Sequence, residues 1–144
     1  MHKQRNLTRE GISIMAGETV LDDYAFLVSE TDAKGIIKFA NDDFCKIAGY
    51  SLDELIDQPH NMVRHSDMPK VAFKSLWDTV QAGDVWTGYV KNATKDGGYY
   101  WVFATVFPFE SCDGSKGYLS CRRKPSREEI AEHETLYKQW KANE

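Results

Sequence analysis

The sequence predicts an α+β fold in which one antiparallel sheet is covered on one face by short helices. Three observations carry that expectation. Two short strand-like segments are joined by a "DAKG" turn, an amphipathic helical stripe follows, and three longer alternating segments separated by "DGG" and "CDGS" turns complete the pattern.

The elements follow in order. "YAFLVSETDA", residues 24–33, and "IIKFAN", residues 36–41, predict a β-hairpin. "NDDFCKIAGY" predicts a helix capped by Asn41, with Phe44, Ile47 and Ala48 at three- and four-residue spacing and Gly49 as its stop. "SLDEL" restarts with a capping box of Ser51 and Glu54. "MPKVAFKSLWDTVQAG" places Phe73, Leu76, Trp77 and Val80 on one helical stripe, with Pro69 in the first turn and Gly83 beyond the end. "VWTGYVKNATK", "YYWVFATVFPFE" and "KGYLSCRRK" then form a three-strand meander. The closing "PSREEIAEHETLYKQWKANE" carries a second capping box, Ser126 with Glu129. Ile130, His133, Tyr137 and Trp140 recur there at heptad-like spacing, and this helix is expected to leave the domain.

Composition narrows the function. The 144 residues suit one domain, and folding should bury roughly two-thirds of the unfolded surface, enough for a core with an internal pocket. Eighteen Lys and Arg against 22 Asp and Glu leave a net charge of −4, which argues against a nucleic-acid platform. No secretion signal opens the chain and no run of eighteen apolar residues spans a bilayer, so a cytoplasmic, uninserted segment is expected. Cys45, Cys112 and Cys121 have no C-x-x-C spacing and suggest neither a disulfide framework nor zinc. No nucleophile with a paired base, phosphate loop or metal cluster stands out, so an enzyme is not expected.

Alternation divides the central strands into faces. Trp86, Gly88, Val90 and Asn92 share one side, and Tyr100, Val102, Ala104 and Val106 share one side of the next strand. If Gly88 and Ala104 look toward the helices, their small side chains leave room for a ligand, with Trp86 as a flat wall and Asn92 as an amide. The opposite stripe, Trp101, Phe103 and Phe107, is too apolar to stay wet. The N-terminal segment or a second subunit is expected to cover it. His2 and His133 are assigned to solvent.

The segment "PHNMVRHSDMPKVAF" sets two imidazoles and a guanidinium beside apolar Met62, Val63, Met68 and Phe73. With Asn41, "AGYSLDEL", "KDGGYYWV" and "GYLSCRR", it resembles a PAS domain over roughly residues 19–124. "QPHNMVRHSDMPKVAFKSLW" and "VWTGYVKN" are similar, more narrowly, to the FAD-binding PAS sensors of the bacterial aerotaxis-receptor type. That resemblance implies a five-stranded antiparallel sheet cradling FAD against short helices, flanked by an N-terminal cap over residues 1–18 and an exit helix over 125–144, both helical. It implies a sensor that reports redox, oxygen or energy state to a chemoreceptor signalling module, in cis or in trans, and tethering to a membrane only through a longer receptor. A homodimer through the sheet face or the terminal helices is expected.

The cofactor residues carried over by position are Asn41, Arg64, His65, Asp67, Phe73, Trp77, Trp86, Asn92 and Tyr100. Arg64 suits a diphosphate, with His65 as a further donor, and Asn92 a polar ring edge. In the related LOV class a reactive cysteine stands where His60 falls here, so adduct photochemistry is not expected. The LOV glutamine of the last strand is replaced by Arg122, which alternation from Tyr118 and Ser120 turns inward, where it would favour a negatively charged reduced flavin. Other readings stay open. Asp67 suits a helix cap, Trp77 suits the core, and His60 or His65 suits haem ligation. A cofactor-free PAS module for dimerisation or small-molecule binding is the remaining alternative.

Overall fold

The structure is a computed structural model that describes residues 6–8, 12–15 and 17–144, with side chains described from residue 17 onward. Its centre is a five-stranded antiparallel sheet in the order β5-β4-β8-β7-β6, formed by β4 (Leu27–Asp32), β5 (Ile37–Ala40), β6 (Trp86–Ala93), β7 (Tyr99–Glu110) and β8 (Lys116–Arg123). Three short strands precede it: β1 (Asn6–Thr8), β2 (Ile12–Met15) and β3 (Glu18–Val20). β3 joins the sheet through a parallel bridge from Glu18 to Tyr99. In its described residues the N-terminal flank is therefore extended where the resemblance implied a helix. Alternating isoleucines in "ISIM" and β-branched Thr19 and Val20 favour the strand. The assignment of His2 lies outside the described residues.

The helices form where the local chemistry directs. In α1 (Asp42–Ala48) the Asn41 side chain accepts from Phe44 N–H, and Gly49, at φ +85°, provides the left-handed stop. α2 (Leu52–Leu55) has the full Ser51–Glu54 capping box. A 3₁₀ turn at His60–Val63 leads through Pro69, which stands at the cap, into α3 (Lys70–Gln81). These elements cover one face of the sheet and bury Phe44, Ile47, Leu55, Val63 and Ala72 in one core with Val90, Tyr100 and Val102.

The other face is covered by α4 (Arg127–Ala142), which starts with the Ser126–Glu129 capping box. The helix runs back over the sheet instead of leaving it. Tyr137 stacks on Trp101 with centroids 6.1 Å apart, and its hydroxyl donates to Tyr89 O at 2.6 Å. The Tyr89 hydroxyl donates to Glu129, Lys141 donates to Ser66 O, and Arg127 grips Glu18 at 2.7 Å. The cover over Trp101 is thus this chain's own helix, neither the N-terminal segment nor a second subunit, and that part of the sheet face is closed to a homodimer contact. His133 is half-buried, its ring 4.1 Å from that of Tyr89, so its assignment to solvent is corrected. Spacing explains the difference: Ile130 and Tyr137 lie seven residues apart on one side of the helix, and both are buried.

Candidate functional site

Between the inner sheet face and the α3 side lies a cavity of about 340 Å³, within the usual range for small-molecule pockets. Val90, Ala104 and Val106 form an apolar floor, while Phe73, Leu76 and Trp77 form one wall. Its position follows from strand register. Ala104 stands opposite Arg122, Val106 opposite Ser120, and Leu27, Ser29 and Thr31 opposite Arg122, Ser120 and Tyr118, so alternate residues of three strands point into one space. The segment from Pro59 to Arg64 closes the mouth through two backbone bridges, Ile36 with Pro59 and Arg64 with Asn92. Gly35 permits the tight turn beside it. It holds φ +82°, and a Cβ there would sit 3.1 Å from the Trp77 ring.

The cavity's polar centre is Arg122, only 5% exposed. One guanidinium nitrogen donates to Ser29 Oγ at 3.0 Å and another meets His60 Nε2 at 2.9 Å. Arg122 can only donate, so His60 Nε2 accepts and the neutral ring carries its proton on Nδ1. Burial, reinforced by the neighbouring guanidinium, pushes the His60 pKa down to about 3. Burial likewise lowers Arg122, to about 10. Phe44 packs edge-on against the His60 ring at 5.8 Å. Among the described residues the guanidinium has no carboxylate partner, and the buried Ser120 hydroxyl has no hydrogen-bond partner. A cation and a hydroxyl held in this way face the cavity ready for acceptors. At the rim, the Arg64 guanidinium lies 3.6 Å over the Phe73 ring.

Five of the expected site residues converge here: Arg64, Phe73, Trp77, Asn92 and Arg122 all line the cavity. Trp77 packs edge-on against Tyr118 at 5.4 Å, so it serves both the core and the wall. Tyr100 lies beneath Asn92, fully buried, and the amide reaches its hydroxyl at 3.5 Å. Burial raises the Tyr100 pKa to about 12. Trp86 faces inward but folds over Gly88, where a Cβ would meet the indole at 2.5 Å, and its N–H donates to Ser75 Oγ at 3.3 Å. The glycine makes room for tryptophan, not for a ligand. Ala104 is the small residue that opens the floor.

The other three residues stand elsewhere. Asn41 is taken up in holding strand to helix: Oδ1 accepts from Phe44 and Val28 N–H at 3.0 Å, and Nδ2 donates to Phe26 O at 2.8 Å. His65 accepts from Asp67 N–H through Nδ1 and sits edge-on to Tyr99. Asp67 pairs with Lys91 at 2.7 Å. It does not cap α3, whose N-terminus has no side-chain cap because Pro69 occupies that position. Conversely, His60 and Ser120 line the cavity and Ser29 braces His60 and Arg122 beside it; of the three, the sequence suggested only His60, and that for haem. Alternation along Leu27, Ser29 and Thr31 carries that signal for Ser29 once β4 is placed beside β8.

The "PAS fold" family description matches residues 37–121. A curled sheet with helices closing a pocket on one face is that family's architecture, and the chain belongs to the PAS-fold family. It is 48% identical over 120 residues, 83% of its length, to the aerotaxis receptor of Escherichia coli K12, of which it spans 24%. It is 31% identical over 106 residues to a nitrogen fixation regulatory protein of Klebsiella pneumoniae, covering 73% of this chain and 21% of that one. The chain thus spans under a quarter of the length of these relatives. Among solved structures, a PAS domain from Colwellia psychrerythraea matches with a TM-score of 0.58 and 25% identity, covering 73% of this chain and 91% of that one. The blue-light photoreceptor Aureochrome1 LOV matches in fold with a TM-score of 0.63 and 20% identity, covering 78% of this chain and 86% of that one. A PAS sensor in a signalling pathway is the class these findings support.

Proposed function

We propose that this chain is an FAD-binding PAS sensor, not an enzyme, that passes redox, oxygen or energy state to a chemoreceptor-type module of an aerotaxis pathway, in cis or in trans. The observation that carries this reading is the buried, carboxylate-free guanidinium of Arg122 beside the unpartnered Ser120 hydroxyl and the Asn92 amide in an apolar cavity. Those residues fit a flat ring system with acceptors along one edge. A bound flavin supplies reversible electron uptake there. Arg122 favours negative charge at that edge, because a guanidinium attracts an anion strongly where water is scarce. Asn92 and Ser120 orient the ring through hydrogen bonds, and Trp77 with Phe73 shields it. Arg64, at the mouth, suits a diphosphate that lies outside the ring slot.

Haem fits less well. His60 Nε2 already accepts from Arg122, and His65 does not line the cavity. No helix among the described residues is long and apolar enough to cross a membrane. A change of charge at Arg122 would bias the sheet and the His60–Arg64 segment between two arrangements, which is what a switch requires.

An absorption spectrum of the purified chain, with mass analysis of the released chromophore, tests the reading. Flavin bands bleached by dithionite and a released mass of FAD are expected. A Soret band, release of FMN, or no uptake on reconstitution with FAD overturns it. Arg122→Gln should lower the cofactor's one-electron reduction potential by about 60 mV for each tenfold loss in preference for the one-electron-reduced, negatively charged form. An unchanged potential removes Arg122 from that role.

A further inference from the structure

A second, smaller chamber of about 150 Å³ lies on the opposite face of the sheet, between β6, β7, α4 and the Asp67–Met68 link that leads from the 3₁₀ turn to α3. Asp67, Lys91, Trp101, Glu134 and Lys138 line it, with Met68 and Tyr137 as its apolar part. Trp101 is only 3% exposed, yet its indole N–H is buried with no hydrogen-bond partner among the described residues. An orphaned buried donor is a standing cost that an acceptor in the chamber removes. Lys91, 8% exposed, is the nearby cation. Its ammonium has three protons. One is committed to Asp67 at 2.7 Å and the side of the group faces the Tyr99 ring at 4.4 Å, which leaves donor capacity toward the chamber.

The lining carries two cations, Lys91 and Lys138, and two carboxylates, Asp67 and Glu134. A bare anion meets repulsion from the carboxylates and a bare cation meets it from the ammonium groups. A zwitterion can present each end to the opposite charge. The volume corresponds to about five water molecules at ~30 Å³ each, the scale of a very small amino acid. We infer that this chamber binds a small α-amino acid, its carboxylate accepting from the Trp101 indole and Lys91 and its ammonium facing Glu134 and Asp67. The chamber joins the Asp67–Met68 link to α4, so occupancy would hold the two together. The inference stands independently of the flavin reading.

The test follows the indole N–H resonance of Trp101 in the isotope-labelled full chain, identified by its loss in Trp101→Phe. Glycine, acetate and methylammonium are titrated separately to about 10 mM, tenfold above the roughly 1 mM dissociation constant expected of so small a ligand. A saturable glycine shift is expected, with acetate and methylammonium each at least about tenfold weaker. Glu134→Gln, on the half-exposed surface of α4, should weaken glycine about tenfold and leave acetate no weaker. No response to glycine, as for a chamber holding only water, overturns the inference. Equal responses to the three probes, or an unchanged glycine affinity in Glu134→Gln, overturn it as well.

Discussion

The two faces of the central sheet treat charge in opposite ways. On the outer face, beneath α4, charged groups are matched: Lys91 with Asp67 and Arg127 with Glu18, each at 2.7 Å. Tyrosine hydroxyls there also have partners, Tyr89 on Glu129 and Tyr137 on Tyr89 O. On the inner face a guanidinium is buried against a hydroxyl and a neutral imidazole, and the Ser120 hydroxyl has no hydrogen-bond partner among the described residues. An unmet buried polar group costs about 1–3 kcal/mol. A fold that leaves one such hydroxyl beside a carboxylate-free guanidinium on the wall of its large cavity, and pairs its charges in a packed interface on the opposite side, separates a surface made mainly for stability from one made for a ligand. The outer exception is the Trp101 indole N–H, at the small chamber described above.

The sharpest way to break the comparison is to truncate a tryptophan on each face. Trp101 is almost fully buried and stacks on Tyr137, so Trp101→Ala should destabilise by about 3–5 kcal/mol in urea unfolding, through lost packing and a residual cavity. Trp77 is only half-buried and walls the large cavity, so Trp77→Ala should cost markedly less stability but weaken retention of the flavin proposed to bind there. If the two variants lose similar stability, the division of labour between the faces fails.

Acid separates the faces next. The His60 pKa is pushed from 6.5 down to about 3 in the folded chain. Between these values the unfolded chain binds the extra proton and the folded chain does not, so stability falls as pH drops through that window. It is retained in full above about pH 6.5. The slope contributed by this group is about 1.4 kcal/mol per pH unit. Outer carboxylates such as Asp67 and Glu129, whose pKa values their partners lower, add their losses only below about pH 4.5. His65 also has a lowered pKa, chiefly from burial, so the wild type is compared with His60→Gln. Urea midpoints from pH 7 to 5 should fall less steeply in His60→Gln, and identical slopes would remove His60 from the acid response.

Much of this arrangement is legible in the sequence, and the failures share a cause. Caps and turns are local, so Asn41, the Ser51 and Ser126 boxes and Gly49 read correctly from spacing alone. Alternation places Ala104, Asn92 and Arg122 on the cavity side, because a strand's period survives into the fold. What alternation cannot give is how a large side chain lies once it is inside. Trp86 is on the right face, yet its ring fills the space above Gly88. Nor does the apolar stripe of α4 declare what it covers: the spacing of Ile130 and Tyr137 suits a departing coiled coil as well as a helix folded over Trp101. His60 becomes a cavity group only when the 3₁₀ turn is brought against Ser29 of β4, 31 residues away in the chain.

The smallest expected effect concerns Asp67, which the resemblance assigned to the cofactor and the structure pairs with Lys91. The Lys91 side chain is 10% exposed, but that of Asp67 is 62% exposed, so water shares the carboxylate and screens the pair. Asp67→Asn should therefore cost about 0.2–1 kcal/mol in urea unfolding, and less in high salt, because an ion pair open to solvent on one side contributes little. The lysine's long stem lets its ammonium turn toward solvent once the carboxylate is gone, which limits the loss further. A cost well above 2 kcal/mol that salt does not reduce would show Lys91 stranded as a buried cation. The outer face would then carry the same kind of unmatched charge as Arg122, and the contrast between the two surfaces would no longer distinguish packing from ligand binding.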